Sequence, residues 1–414
     1  MPETFSLIFL AALGATTLTR LWLAARHLRH VRAHRDAVPA DFAESIPLEA
    51  HRKAADYTAA KLRLAFVEIL FGALFLAALT LGGILQWLFD FWASRLDPTG
   101  HAHGIAFIAS AALLGFLAEL PFSLFHTFVV EERFGFNRTS PKLFAIDLAR
   151  QALLLALIGG PLVLAVLWLM ARMGSRWWLY VWLAWLAFNL LMLLVWPTLI
   201  APLFNRFIPL EDAALRARIE ALLGRCGMRA GGLFVMDGSK RSAHGNAYFT
   251  GFGAARRVVF FDTLIERLEP QEIEAVLAHE LGHDRLRHVW KRIGVTAAAA
   301  LALLWALGLL IGEPWFYEGL GVHARSTAVA LALFSLVLPV FAFPLHPLAS
   351  LLSRRHEFEA DAFAAHHTRG ADLAAALVKL YRDNAATLTP DPLYSAFYDS
   401  HPPAALRIAR LKAG

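Results

Sequence analysis

The chain has 414 residues, 58 % hydrophobic and 17 % charged, with a formal net charge of +6 and a single cysteine. Soluble domains carry about 45–50 % apolar residues, so this composition, with a mean hydropathy of +0.52, excludes an ordinary soluble globule and asks for a bilayer as solvent. Cys226 alone excludes an internal disulfide and a thiolate cluster, and the basic balance reads as a topology signal and contact with anionic lipid rather than nucleic-acid binding.

In chain order, seven segments are apolar over the roughly 20 residues that a spanning helix needs. They are residues 5–25, 64–92, 104–130, 152–173, 177–200, 295–311 and 327–345. Thr16, Thr17, Thr19 and Arg20 interrupt the first, and the sixth is short and Ala-rich; these two also fit buried soluble helices. The first apolar run lacks a basic leader and a small-residue cleavage site, so no separate secretory signal is expected.

The loops alternate in charge. Arg26, Arg29, Arg32, Arg35, Arg52, Lys53, Lys61 and Arg63 follow the first span, and Arg133, Arg138, Lys142 and Arg150 follow the third. The loops after the second and sixth spans offer only Arg95 and Arg325. The positive-inside rule then places the N-terminus outside and the C-terminus in the cytoplasm, with the Arg172 and Arg176 turn as a counter-signal. The polar stretches 202–291 and 346–414 both fall on the cytoplasmic side, where they can assemble into one domain.

The expected division is therefore 1–201 with five spans, 202–292 as a catalytic segment, 293–346 with spans six and seven, and 347–414 as a second catalytic segment. Within the first catalytic segment, 213–225 reads as a helix. Residues 233–237, 246–252 and 257–262 read as strands, and 240–244 as a polar loop. Pro270 opens a helix through the 280s, since proline suits a first helical turn.

That helix carries Ala275-Val-Leu-Ala-His279-Glu280-Leu281-Gly282-His283. Histidines at i and i+4 share one helix face, about 6 Å apart, and reach one ion together. Glu280 beside them is placed to take a proton from water activated at that ion. The apolar flanks Val276, Leu277, Ala278 and Leu281 weaken the alternative of a solvated surface helix, because charged groups on a buried helix need partners. A third ligand is required. His288, His356, His366, His367 and His401 are available, but the stronger candidate is Glu357, with Asp361 four residues on to hold a ligand histidine. Taken alone, that stretch reads as an acidic amphipathic helix; beside the first motif it reads as a ligand helix. Glu359 points about 200° from Glu357 and reads as solvated.

These motifs together resemble the type I CAAX prenyl proteases, integral-membrane zinc metallopeptidases. The similarity rests on an ordered set: Glu131-Glu132-Arg133-Phe134-Gly135-Phe136-Asn137, then Asn246-Ala247-Tyr248-Phe249-Thr250-Gly251, the 279–283 motif, Arg355-His356-Glu357-Phe358-Glu359-Ala360-Asp361, and Ser400-His401-Pro402-Pro403 with Arg407-Ile408. It spans nearly the whole chain. The resemblance implies a mainly α fold, with a seven-helix transmembrane bundle around a chamber and a cytoplasmic α+β gluzincin-like protease domain. It implies one Zn2+ per chain on His279, His283 and Glu357, with Asp361 behind a ligand. It also implies Asn246 and Ala247 on a substrate-pairing edge strand, and His401 near the oxyanion.

The expected activity is endoproteolysis of a peptide or protein, with or without a lipid, such as removal of the tripeptide from a prenylated C-terminus. The expected contacts are membrane lipids and no nucleic acid. The alternatives are an HtpX-type quality-control protease and a transporter with structural zinc. The transporter is disfavoured because Glu280 would have no structural role. A composition rich in Ala, Leu and Arg suggests a bacterial inner membrane. His101 and His103 read as a solvated outer loop, and His27, His30 and His34 as a basic lipid-facing turn. Glu68, Glu119 and Asn189 fall inside spans, where a polar group usually faces a cavity or a partner.

Overall fold

The structure, a computed structural model, describes residues 1–251 and 256–413. Among the described residues, seven helices are long and apolar enough to cross a membrane: Pro2–Ala33, Leu48–Leu79, His101–Glu131, Pro141–Arg172, Gly174–Phe204, His288–Leu310 and Thr327–His367. Most run past the apolar segments that mark them, because polar residues continue the helix beyond the bilayer. The second differs from expectation. Residues 64–92 do not form one span; the helix ends at Leu79, the chain turns at Gly83 with φ 79°, and a separate helix follows over Ile84–Ala93. Hydropathy sees no boundary there, whereas a glycine free of Cβ allows the left-handed turn.

Two cores form. Phe9, Leu85, Phe107, Trp177, Phe316 and Leu333 belong to one within the bundle. Ile219, Phe260, Ile273, Leu277, Ala364 and Ile408 belong to the other, which Phe42 and Ile46 of the first loop also join. A chamber of about 1240 Å³ is lined by Leu13, Leu79 and Val340 of the bundle core and by Arg241 and Tyr398 at the catalytic end. Glu68 and Glu119 line it, which accounts for carboxylates inside spans. Asn189 does not; it is exposed and its side-chain N–H donates to Trp185 O one turn back at 2.8 Å.

Four strands form one sheet in the order β1-β2-β4-β3. They are β1 Phe207–Pro209, β2 Gly232–Met236, β3 Ala247–Thr250 and β4 Arg257–Phe261. β1 and β3 are antiparallel to their neighbours, and β2 is parallel to β4. β1 escaped the sequence reading because three residues ending in proline show no alternation. Asp262 opens the short helix Asp262–Ile265 rather than ending a strand, and Phe252, expected in the second strand, lies outside the described residues.

β3 occupies the sheet edge and packs on the motif helix Pro270–Arg285. That helix starts with proline in its first turn and a reciprocal cap between Glu269 and Glu272. The seventh span passes through a 3-10 turn, Phe343–Leu345, directly into the helix His346–His367 that carries Glu357. Motif helix and Glu357 helix meet at Gly282, where a Cβ would lie 3.1 Å from Ala360 Cα and 3.2 Å from Phe363 Cβ. Glycine inside a helix costs roughly 1 kcal/mol against alanine, and here it lets the two ligand-bearing backbones approach.

Candidate active site

The motif helix presents His279 and His283 toward Glu357. His279 Nε2 lies 3.2 Å from His283 Nε2 and 3.5 Å from Glu357 Oε2, and His283 Nε2 lies 3.3 Å from Glu357 Oε1. One ligand atom from each falls within 4.8 Å of the other two. Glu357 Oε2 is buried and makes no hydrogen bond among the described residues. The nitrogens of His279, His401 and Arg407 sit 3.4–3.5 Å away, near in charge but not in bonding geometry. A buried carboxylate oxygen left without a donor is costly. Two imidazole nitrogens and a carboxylate around it form a donor set that a divalent metal satisfies, so the residues fit such an ion.

Behind this cluster, His279 Nδ1–H donates to Asp361 Oδ1 at 2.9 Å, which directs the Nε2 lone pair at the cluster. Asp361 is clamped by Arg407, whose Nε and Nη2 donate to its two oxygens at 2.8 and 2.6 Å. Arg407 and Asp361 are both only 4 % exposed, so this is an ion pair removed from water. Burial pulls the His279 imidazole down, but Asp361 and Glu357 outweigh it and raise its pKa to about 9 in the metal-free protein. The role of Arg407 was missed in the sequence. The signal was its spacing: Ala404, Ile408 and Leu411 form the buried face of the last helix, and Arg407 sits on that same face.

Glu280 makes no hydrogen bond among the described residues, and burial raises its carboxyl pKa. His401 Nε2 lies 3.5 Å from Glu357 Oε2, and its Nδ1 is 3.0 Å from Ser400 Oγ. Desolvation by its neighbours lowers its pKa against the pull of Glu357, although 60 % of its side chain is exposed. Arg354 Nη1 sits among the carbonyl oxygens of Ser395, Ala396 and Asp399 at 3.0, 3.1 and 3.0 Å, fixing the chain that enters His401. Asn246 precedes β3, where its Oδ1 accepts from Ala247 N at 2.9 Å, and the outer edge of β3 is unpaired within the sheet.

A second cavity, about 650 Å³, is lined by His401, Tyr57, Lys61, His244 and Asn384. The 131–137 block rivets the third and fourth spans to the chain before β3. Tyr57 donates to Glu131, Asn137 bridges Ser242, Arg138 N donates to Arg241 O at 3.0 Å, and Arg241 grips Asp147 at 2.7 and 2.9 Å.

Three expectations are corrected. Glu359 is not merely solvated: its Oε2 is 3.0 Å from His288 Nε2, and its Oε1 is 3.1 Å from Arg355 Nε. His103 is buried at the start of a helix with Nε2 3.3 Å from Phe89 O, not in a solvated loop. His27 is buried, accepts from Asp391 N at 3.1 Å and stacks on Tyr394, so it faces protein and not lipid.

Residues 27–206 match the family model described as CAAX prenyl protease N-terminal, five membrane helices, and residues 209–414 match peptidase family M48. A CAAX prenyl protease 1 homolog of Arabidopsis thaliana is 35 % identical over 88 % of this chain and 87 % of its own length. That of Caenorhabditis elegans is 31 % identical over 99 % and 98 %. The crystal structure of Ste24p from S. mikatae superposes with a TM-score of 0.91 at 28 % identity, covering 98 % of this chain and 99 % of the other.

Proposed function

The chain belongs to peptidase family M48 as a multi-pass membrane metalloendopeptidase, and from that premise we propose that it cleaves the C-terminal segment of prenylated proteins, using zinc held by His279, His283 and Glu357. The observation that carries the metal reading is the buried Glu357 Oε2 without a hydrogen bond between two inward imidazole nitrogens. His279, His283 and Glu357 would hold the zinc ion, which would supply Lewis-acid polarisation of the scissile carbonyl and activation of a water. Glu280, its pKa raised by burial, takes the proton from that water and returns it to the leaving amine. His401, with Ser400 O–H donating to its Nδ1, offers its Nε2–H to the oxyanion. Asp361 keeps His279 in the tautomer that ligation needs. The outer edge of β3, beginning at Asn246 and Ala247, pairs with extended substrate backbone.

The prenyl reading is supported by the names of the relatives and by a chamber whose wall includes Phe71, Phe75, Phe116, Phe122 and Phe144. The orientation is supported by the basic loops. Arg26 pairs with Asp391 at 2.8 Å and Arg138 bonds to Arg241, so both loops lie at the metal-site end, which we place in the cytoplasm with the N-terminus outside. Composition supports a bacterial inner membrane as the host; the relatives compared are eukaryotic. The domain division 1–201, 202–292, 293–346 and 347–414 stands as part of this proposal.

The test uses full-length protein in lipid nanodiscs with a farnesylated C-terminal peptide and its unprenylated twin. The farnesylated peptide is expected to be cleaved in preference, with activity lost to a chelator and restored by Zn2+. Glu280→Gln is expected to retain zinc and lose at least about 10²-fold in turnover, the lower end of general-base contributions. Equal cleavage of both peptides, together with cleavage of unfolded membrane proteins, would favour a quality-control protease. Near wild-type turnover by Glu280→Gln would remove the mechanism.

A further inference from the structure

His288 stands outside the ligand set and yet touches it. Its Nδ1 lies 3.0 Å from Nδ1 of His283, and its Nε2 lies 3.0 Å from Glu359 Oε2. Arg287, just before it, adopts φ 58° and ψ 34°, the left-handed region that non-glycine residues rarely enter. That turn joins the motif helix to the sixth span and folds His288 back on His283, leaving it buried. Glu359 is held in turn by Arg355 at 3.1 Å and Lys291 at 3.7 Å, and His356 stacks on His288 with ring centroids 4.1 Å apart.

Proton counting gives this contact a direction. A neutral imidazole has one N–H and one lone pair. When His283 commits its Nε2 lone pair to the metal, its hydrogen sits on Nδ1. Nδ1 of His288 must then accept that hydrogen, so the hydrogen of His288 sits on Nε2, where Glu359 accepts it. We propose that His288 and Glu359 are positioning residues that hold His283 as an Nε2 ligand, and that the His288–His356–Glu359 cluster carries this hydrogen-bond chain instead of a second ion while the first site is filled. The inference rests on the metal-site reading above.

The alternative is concrete, because His288, His356 and Glu359 each place one ligand atom within 4.8 Å of the others. An ion there would take the Nε2 lone pair of His288 and send its hydrogen to Nδ1. Two N–H groups would then face each other across the 3.0 Å gap with no acceptor between them. With neutral imidazoles the two clusters cannot be filled together, and Lys291 and Arg355 further oppose a cation beside Glu359.

The experiment titrates Zn2+ into metal-stripped, full-length protein in nanodiscs against a chromophoric chelator. Wild type is expected to take one equivalent. His288→Leu keeps bulk and loses the acceptor; zinc affinity should fall about 10–100-fold, the usual cost of losing a group behind a ligand. Substrate KM and the melting temperature of the metal-free protein should not change. His288→Asn restores an acceptor oxygen near the Nδ1 position and should recover most of the affinity. A second equivalent bound by wild type would overturn the proposal. So would unchanged affinity in His288→Leu, or equal losses in the Leu and Asn variants. Glu357→Ala in the same titration reports on the ligand set: if its affinity is unchanged, the metal-site reading itself falls, separately from the relay.

Discussion

His279 and His283 stand one turn apart on one helix, but the protein supports them by opposite means. Behind His279 lies a charged clamp, Asp361 gripped by Arg407, sealed from water. Behind His283 lies a chain of neutral rings ending in Glu359, whose side chain is 33 % exposed. The first flank is stiff, because a buried ion pair tolerates little displacement and breaking it is expensive. The second is more forgiving, because water can replace its outermost partner. One half of the ligand set is fixed as part of the domain core, and the other is adjusted from the membrane side by the start of the sixth span.

Arg407→Met should have the largest effect. It strands Asp361 in a dry site, and losing one partner of a buried pair costs about 3–5 kcal/mol. Unfolding of the metal-free protein measures it, and a loss comparable to that of a surface pair would erase the contrast between the flanks. Asp361→Asn comes next. It still accepts from His279 but lacks charge, so metal affinity should fall about 10–100-fold with little loss of fold, read by chelator competition.

Acidity separates the flanks further. With its pKa raised to about 9, His279 carries a proton at neutral pH in the metal-free protein, and a metal must displace it. The sign follows: affinity rises with pH by about tenfold per unit for that one proton, then levels above pH 9. In Asp361→Asn the levelling should begin at lower pH; an unmoved profile would show that the clamp does not set the charge on His279. The smallest effect belongs to Glu359→Gln. Its partners Arg355 and Lys291 are solvent-exposed, and exposed pairs contribute about 0–1 kcal/mol. Stability should be nearly unchanged, and a large loss would mean that the two flanks are equally rigid.

The candidate site residues could be picked out because their spacing is local: the proposed ligands 279 and 283 share one helix with Glu280, and 357 shares another with Asp361. The spans were legible because hydropathy is additive along the chain. Arg407 and Arg354 were not, because their partners come from other helices and a sequence does not display long-range pairs; His288 was read only as an available ligand, because its other partner, Glu359, lies 71 residues on. The end of the second span at Leu79 was hidden for another reason: apolar residues continue through the turn at Gly83, and only backbone conformation marks it.

The passage of the seventh span into the Glu357 helix has a mechanical consequence. Forty-one residues, Thr327–His367, run from helix through a 3-10 turn into helix with no loop between them. The lower part of this stretch is gripped by lipid and its upper part delivers one of the three proposed ligands. A bilayer too thin or too thick tilts the span, and no loop separates that span from the Glu357 helix. The protease half is therefore not a detachable module. Cut from its spans it would keep the two histidines and lose the anchoring of the carboxylate helix.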